Sequence, residues 1–155
     1  MGRIYTAQFN GVGVVPSQDL FEIVASSAGI IQIHELGLSQ LTEVADAAEE
    51  MLLVLLKSGQ NAAGSGGTAP SKVAQLFGDA ASGATVAANN TAKASGGTIV
   101  THYAWHWNVR VPFQMIWTPE TRPVLPPSRR ATVELATVAA DSITMAGYLV
   151  WEEIG

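Results

Sequence analysis

Two-residue alternation of side chains is the feature that most limits how this chain can fold. From Thr98 to Val109, Ile99, Thr101, Tyr103, Trp105, Trp107 and Val109 fall on one side, and Val100, His102, Ala104, His106 and Asn108 fall on the other. A strand behaves this way because successive side chains point to opposite faces of a sheet. The pattern predicts one long strand there. Near the C-terminus, Ile143, Met145, Gly147, Leu149 and Trp151 oppose Thr144, Ala146, Tyr148, Val150 and Glu152. At the N-terminus, Arg3, Tyr5, Ala7 and Phe9 oppose Ile4, and Asn10-Gly11 reads as the turn that ends the segment.

Shorter segments continue the pattern. Leu20, Ile23 and Val24 form a β-like run, and Ala28-Gly29 breaks the chain before Ile30 to Leu38. In that third segment Ile30, Gln32, His34, Leu36 and Leu38 read as the more buried face, and a tight turn is expected to join it to the run before. Thr42 to Lys57 is rich in good helix formers. Met51 to Leu56, however, is apolar on every side, whereas a surface helix keeps one wet face. The reading is an acidic loop or single helical turn, then a buried strand from about Glu50 to Lys57. Ser58 to Ser71 holds Gly59, Gly64, Gly66, Gly67 and Pro70 and reads as a flexible loop. A short run follows from Val73 to Phe77. Gly78 to Gly97 offers one helical turn and a weak strand near Thr85 to Ala88. After the break at Pro112, Phe113 to Trp117 resumes. Pro119, Pro123, Pro126 and Pro127 mark an extended connection unable to sit centrally in a sheet, and Ala131 to Ala136 supplies another strand.

Residues 1–155 are therefore expected to form one all-β domain, a β-sandwich of about 8–10 short strands with long Gly/Ala-rich and Pro-rich loops. A jelly roll is the first choice and an open barrel the second. The length suits a single core.

Composition narrows the function. The net charge is −5 with only eight Lys and Arg, so the phosphate attraction that dominates nucleic-acid affinity is missing, and no direct nucleic-acid binding is expected. Charged residues make up 14% of the chain, well below the roughly 25% of soluble domains, which leaves more surface for protein contact. Without cysteine there is no disulfide, thiolate zinc site or cysteine nucleophile. No apolar run reaches membrane-spanning length, and the N-terminus lacks a secretory h-region, so the chain is expected to be made and kept inside a cell.

No catalytic constellation emerges, and neither an enzyme nor a cofactor is expected. His102 and His106 stand four apart on one strand face, roughly 13 Å from each other, too far to ligate one ion. His34 beside Glu35 completes no metal set. No Gly-x-Ser-x-Gly elbow occurs, and Gly11-Val12-Gly13 and the Gly64 to Gly67 cluster lack the Lys and helix of a phosphate loop. Glu49-Glu50 and Glu152-Glu153 are adjacent pairs that point to opposite faces, unlike paired glycosidase acids. Trp105, Trp107 and Trp117 could form a sugar-stacking platform, with core packing as the alternative.

Four stretches carry a family resemblance: the opening Met-Gly-Arg-Ile-Tyr-Thr-Ala-Gln-Phe-Asn-Gly-Val, Gly64 to Thr68, Gly-Ala-Thr-Val-Ala-Ala-Asn-Asn-Thr at Gly83 to Thr91, and the ending Ser-Ile-Thr-Met-Ala-Gly-Tyr-Leu-Val-Trp-Glu-Glu-Ile-Gly. Together they resemble small virion proteins of tailed bacteriophages, in particular jelly-roll capsid decoration or cement proteins. The resemblance implies a homotrimer seated on the major capsid protein, in a virion assembled in the host cytoplasm, with no membrane partner. Contacts are then expected from the N-terminal strand (Tyr5, Phe9), the Gly-rich loop (Gly64, Gly66), the Pro-rich segment (Pro123, Pro126) and the tryptophans Trp105 and Trp117. A carbohydrate- or receptor-binding module of a tail or fibre is the alternative, and a cupin-like metalloenzyme comes third.

Overall fold

The computed structural model describes residues 2–14, 17–42, 51–140 and 142–155. Among these there are eleven strands and no helix: β1 (Arg3–Val14), β2 (Gln18–Val24), β3 (Ile30–Gln40), β4 (Met51–Ser58), β5 (Val73–Ala74), β6 (Thr85–Asn90), β7 (Val100–Asn108), β8 (Phe113–Ile116), β9 (Val124–Leu125), β10 (Arg130–Leu135) and β11 (Ile143–Ile154). They build two antiparallel sheets. Sheet A has the order β5-β1-β11-β3-β8, with β9 also paired to β3, and sheet B the order β6-β2-β10-β4-β7.

The sheets pack face to face because each strand carries one apolar row. β11 alternates buried and half-buried residues along its length, and Ile143, Met145, Leu149 and Trp151 all face the core. Tyr5, Ala7 and Phe9 do so from β1, and Leu52, Val54 and Leu56 from β4. Phe9 of sheet A meets Phe21 of sheet B with ring centroids 5.2 Å apart. Burying a side chain of this size contributes about 1.5–3 kcal/mol, and a single apolar cluster links both sheets. The all-β sandwich expected from alternation is what the chain forms.

Bulges account for several departures from simple period-two reading. Asn10-Gly11 is not a turn: β1 continues to Val14, and its pairing with β11 slips between Phe9 and Val12. Gly11, at φ +69°, takes the left-handed conformation such a bulge uses. In β3 the pairing steps from Glu35↔Val150 to Ile33↔Trp151, leaving His34 as an extra residue. The alternation therefore changes phase, and Ile31 and Ile33 join Leu36 and Leu38 in the core, while Ile30, Gln32 and His34 do not. The face assigned to this strand from its sequence is thus corrected over its first half. A third slip leaves His102 extra in β7, which spans Val100–Asn108 rather than the longer segment expected.

β2 and β3 are not a tightly turned pair, because the chain crosses between them from sheet B to sheet A. The expected acidic loop or helical turn before β4 lies outside the described residues. No helical turn occurs between Gly78 and Gly97, while the strand expected near Thr85 to Ala88 forms as β6 and runs on to Asn90. The Gly-rich loop is tied down: the bridge Thr68↔Ala88 fastens it to β6, and Ala62↔Ser95 and Ser65↔Ala92 zip it against the segment that follows. The two segments together form a flap fastened by side chains of sheet B.

Candidate functional site

The flap covers a layer of polar side chains projecting from β2, β10 and β4. Glu22 of β2 accepts hydrogen bonds from the Gly64 N–H at 2.9 Å, Asn90 Nδ2 at 2.8 Å and Arg130 Nε at 2.6 Å. Asp19 accepts from the Ala94 N–H at 2.7 Å. Gln60 Nε2 donates to Thr132 Oγ1 at 2.9 Å, and Arg130 also reaches the Gln60 carbonyl. Glu134 holds Lys57 on one oxygen and Lys93 on the other, the latter at 2.9 Å. Burial works to raise the Glu134 carboxyl, but hydrogen bonds and charge from both lysines prevail and hold it below the usual range. Burial, with Glu134 and Glu22 close by, pushes Asp19 up to about 6 against the hydrogen bond from Ala94. Every carboxylate in this layer is engaged with the flap or its fastenings, so the group works as a clasp.

A second polar group lies on the outer face of sheet A. His34 Nε2 is 3.1 Å from Glu152 Oε2. Burial and the nearby Arg122 hold the imidazole below its ordinary value despite that carboxylate. Tyr148 donates its hydroxyl to Glu35, and Gln114 Nε2 donates to the same carboxylate at 2.7 Å. Glu153 turns the other way and receives the Gly83 and Ala84 N–H groups at 3.0 Å each. Glu152 and Glu153 thus face apart and enclose no cleft. His102 and His106 are both exposed on β7, and His102 Nε2 meets Ser58 Oγ at 2.7 Å. Among the described residues no three of His, Cys, Asp and Glu converge on a point that could hold a metal.

The residues expected to make contacts divide by burial. Tyr5 is 1% exposed and donates its hydroxyl to the Ala80 carbonyl at 2.8 Å; Phe9 lies in the core. Trp117 and Pro123 are buried as well. These four pack inside the sandwich and offer no surface for the expected contacts, and for Trp117 core packing, the alternative named above, is what the structure shows. Trp105 is half-buried, with Phe113 5.5 Å away edge-on and Trp117 6.1 Å away, while Tyr103 stacks on it at 5.5 Å. At the corner between β7 and β8 one face of Trp105 is taken by Tyr103, and Trp117 meets it edge-on. Gly66 and Pro126 are exposed and Gly64 is partly so.

The most exposed apolar group is one that sequence reading missed. Just after the two-residue strand β5, Leu76 is 67% exposed and Phe77 is fully exposed, with Val73 also open to solvent. Gly78 follows at φ +93°, turning the chain back. The segment was read as a strand-like run, and apolar residues in a run are ordinarily buried. The signal available was a Leu-Phe pair followed by Gly in a stretch of small residues with no alternating partner.

Compared with protein-family models, with curated proteins and with solved structures, the chain matches none.

Proposed function

We propose that the chain is a virion structural protein of a tailed phage, a jelly-roll capsid decoration protein that associates with itself, as a trimer, and with the major capsid protein. The observation that carries this reading is the Leu76-Phe77 tip. A turn holds Phe77 fully and Leu76 mostly in water, and covering a side chain of this size contributes about 1.5–3 kcal/mol. Repeated around a symmetric shell, a contact of this size gains by avidity what it lacks singly. The clasped flap and the small number of charges suit a rigid body that works through its surface.

Strand pairing supports the jelly-roll part of the reading. Setting aside β5, β6 and β9, the remaining eight strands pair first with last (β1 with β11), second with seventh (β2 with β10), third with sixth (β3 with β8) and fourth with fifth (β4 with β7). That is one long hairpin rolled upon itself, the plan of jelly rolls in viral capsids. The alternative, a saccharide-binding module, needs open tryptophan faces, whereas Trp117 is buried and Trp105 has Tyr103 stacked on it.

The test is a mass-spectrometric inventory of purified virions together with light scattering on the isolated protein. Expected are copies in stoichiometric proportion to the capsid protein and an oligomer at micromolar concentration. A strict monomer that is absent from virions would overturn the proposal.

A further inference from the structure

A sandwich exposes sheet edges, and unpaired edge strands invite pairing with other chains unless something blocks them. Among the described residues, three of the four edges are blocked. β5 is two residues long, and β1 beyond it is broken by the Asn10–Gly11 bulge. β8 has four residues, ended by Pro112 and Pro119, and β9 has two. β6 has its outer side taken by the flap through the Thr68↔Ala88 bridge.

β7 is the exception. It forms the outer strand of sheet B, runs nine residues, and its sequence Val-Thr-His-Tyr-Ala-Trp-His-Trp-Asn has no Lys, Arg, Asp, Glu, Pro or Gly. One blocking device is present, the bulge at His102, and it leaves Tyr103 to Asn108 regular against Leu56 to Met51. The sequence is also nearly self-complementary about Ala104. An antiparallel copy placed on a two-fold axis at that residue sets Tyr103 opposite the second copy's Trp105 and brings the bulged His102 beside its His106. Chemically similar side chains then meet, with no like charges opposed. The Tyr103–Trp105 stack would continue into the same stack of the other copy. Ala104 itself is exposed and small.

We infer that β7 is a self-pairing edge: two copies join antiparallel about Ala104 and continue sheet B from one molecule into the next. The contact is isologous, so it links molecules across a two-fold axis whatever the apolar tip holds together. It is independent of the proposal about the tip.

The protein contains no cysteine, which makes a direct test simple. In Ala104→Cys the two thiols fall opposite each other across the axis, within disulfide reach. Under mild air oxidation this variant should become a covalent two-chain species on a non-reducing gel. Thr85→Cys, exposed on the flap-covered edge strand β6, should remain single-chain. In Ala104→Lys the axis opposes two ammonium groups, and the particle mass measured by light scattering should fall by half, with an unchanged urea midpoint. The inference is overturned if the two cysteine variants cross-link equally or not at all, or if Ala104→Lys leaves the mass unchanged.

Discussion

Asp19 and Glu134 are register partners on neighbouring strands, yet their carboxyls shift in opposite directions. Burial, helped by two neighbouring carboxylates and opposed by one backbone N–H, lifts the folded-state value of Asp19 to about 6 from the ordinary 3.8. The folded state then binds this proton more tightly than the unfolded chain does. The ionised form costs stability, the penalty is complete above about pH 6, and it disappears as pH falls toward 4. At about 1.4 kcal/mol per unit it amounts to at most ~3 kcal/mol. Asp19→Asn keeps an acceptor for Ala94 and should stabilise the protein by ~1–2 kcal/mol at about pH 8, a gain that vanishes near pH 4 in urea titrations. Glu134 has the opposite sign, because its folded-state value is depressed. Its contribution is present above its ordinary value of 4.5 and is lost as pH falls through the folded one. Glu134→Gln leaves Lys57 and Lys93 without a counter-charge. Discounted for the partial exposure of both lysines, the cost should be about 2 kcal/mol at neutral pH, shrinking in acid.

At the scale of elements, the flap depends on how closely its backbone approaches sheet B. A Cβ on Gly64 would stand 2.7 Å from both the Ala92 carbonyl oxygen and Asn90 Nδ2. Gly64→Val should therefore lift the flap and release Lys93 from Glu134. Tryptic cleavage after Lys93 should accelerate about tenfold, since cleavage follows the population of the opened form, while the rest of the sandwich keeps its far-ultraviolet spectrum. None of this closeness was legible in the sequence, where five neighbouring glycines and prolines read as slack chain. The partnership with Ala88–Ser95 is long-range and leaves no periodic trace. Strands facing the core on one side only were plain: β1 in its first half, β7 and β11 could be assigned because alternation records burial directly. The bulges at Gly11, His34 and His102 escaped for the converse reason. An inserted residue changes the phase of the pattern without changing its composition. Of the candidate contacts, Tyr5, Phe9, Trp117 and Pro123 were misplaced because aromatic and proline residues serve cores and surfaces alike, and Phe77 was missed on the same ground.

For the whole molecule, a fully exposed phenylalanine separates stability from assembly. Phe77→Asp removes a fully exposed side chain, so the unfolding free energy should stay within about 0.5 kcal/mol of the parent. The same change should weaken association several-fold by light scattering, with the loss growing as protein concentration falls. The rolled hairpin has a consequence of another kind. Arg3 pairs with Glu153 and Val14 with Ile143, so β1 has to wait until β11 has been made before it gains its main neighbour. A chain emerging from synthesis cannot close sheet A while any part of β11 is still inside the exit tunnel, and such distant pairings fold in milliseconds to seconds rather than microseconds. The apolar face of β1 spends that interval uncovered, in need of a chaperone's shelter or of haste.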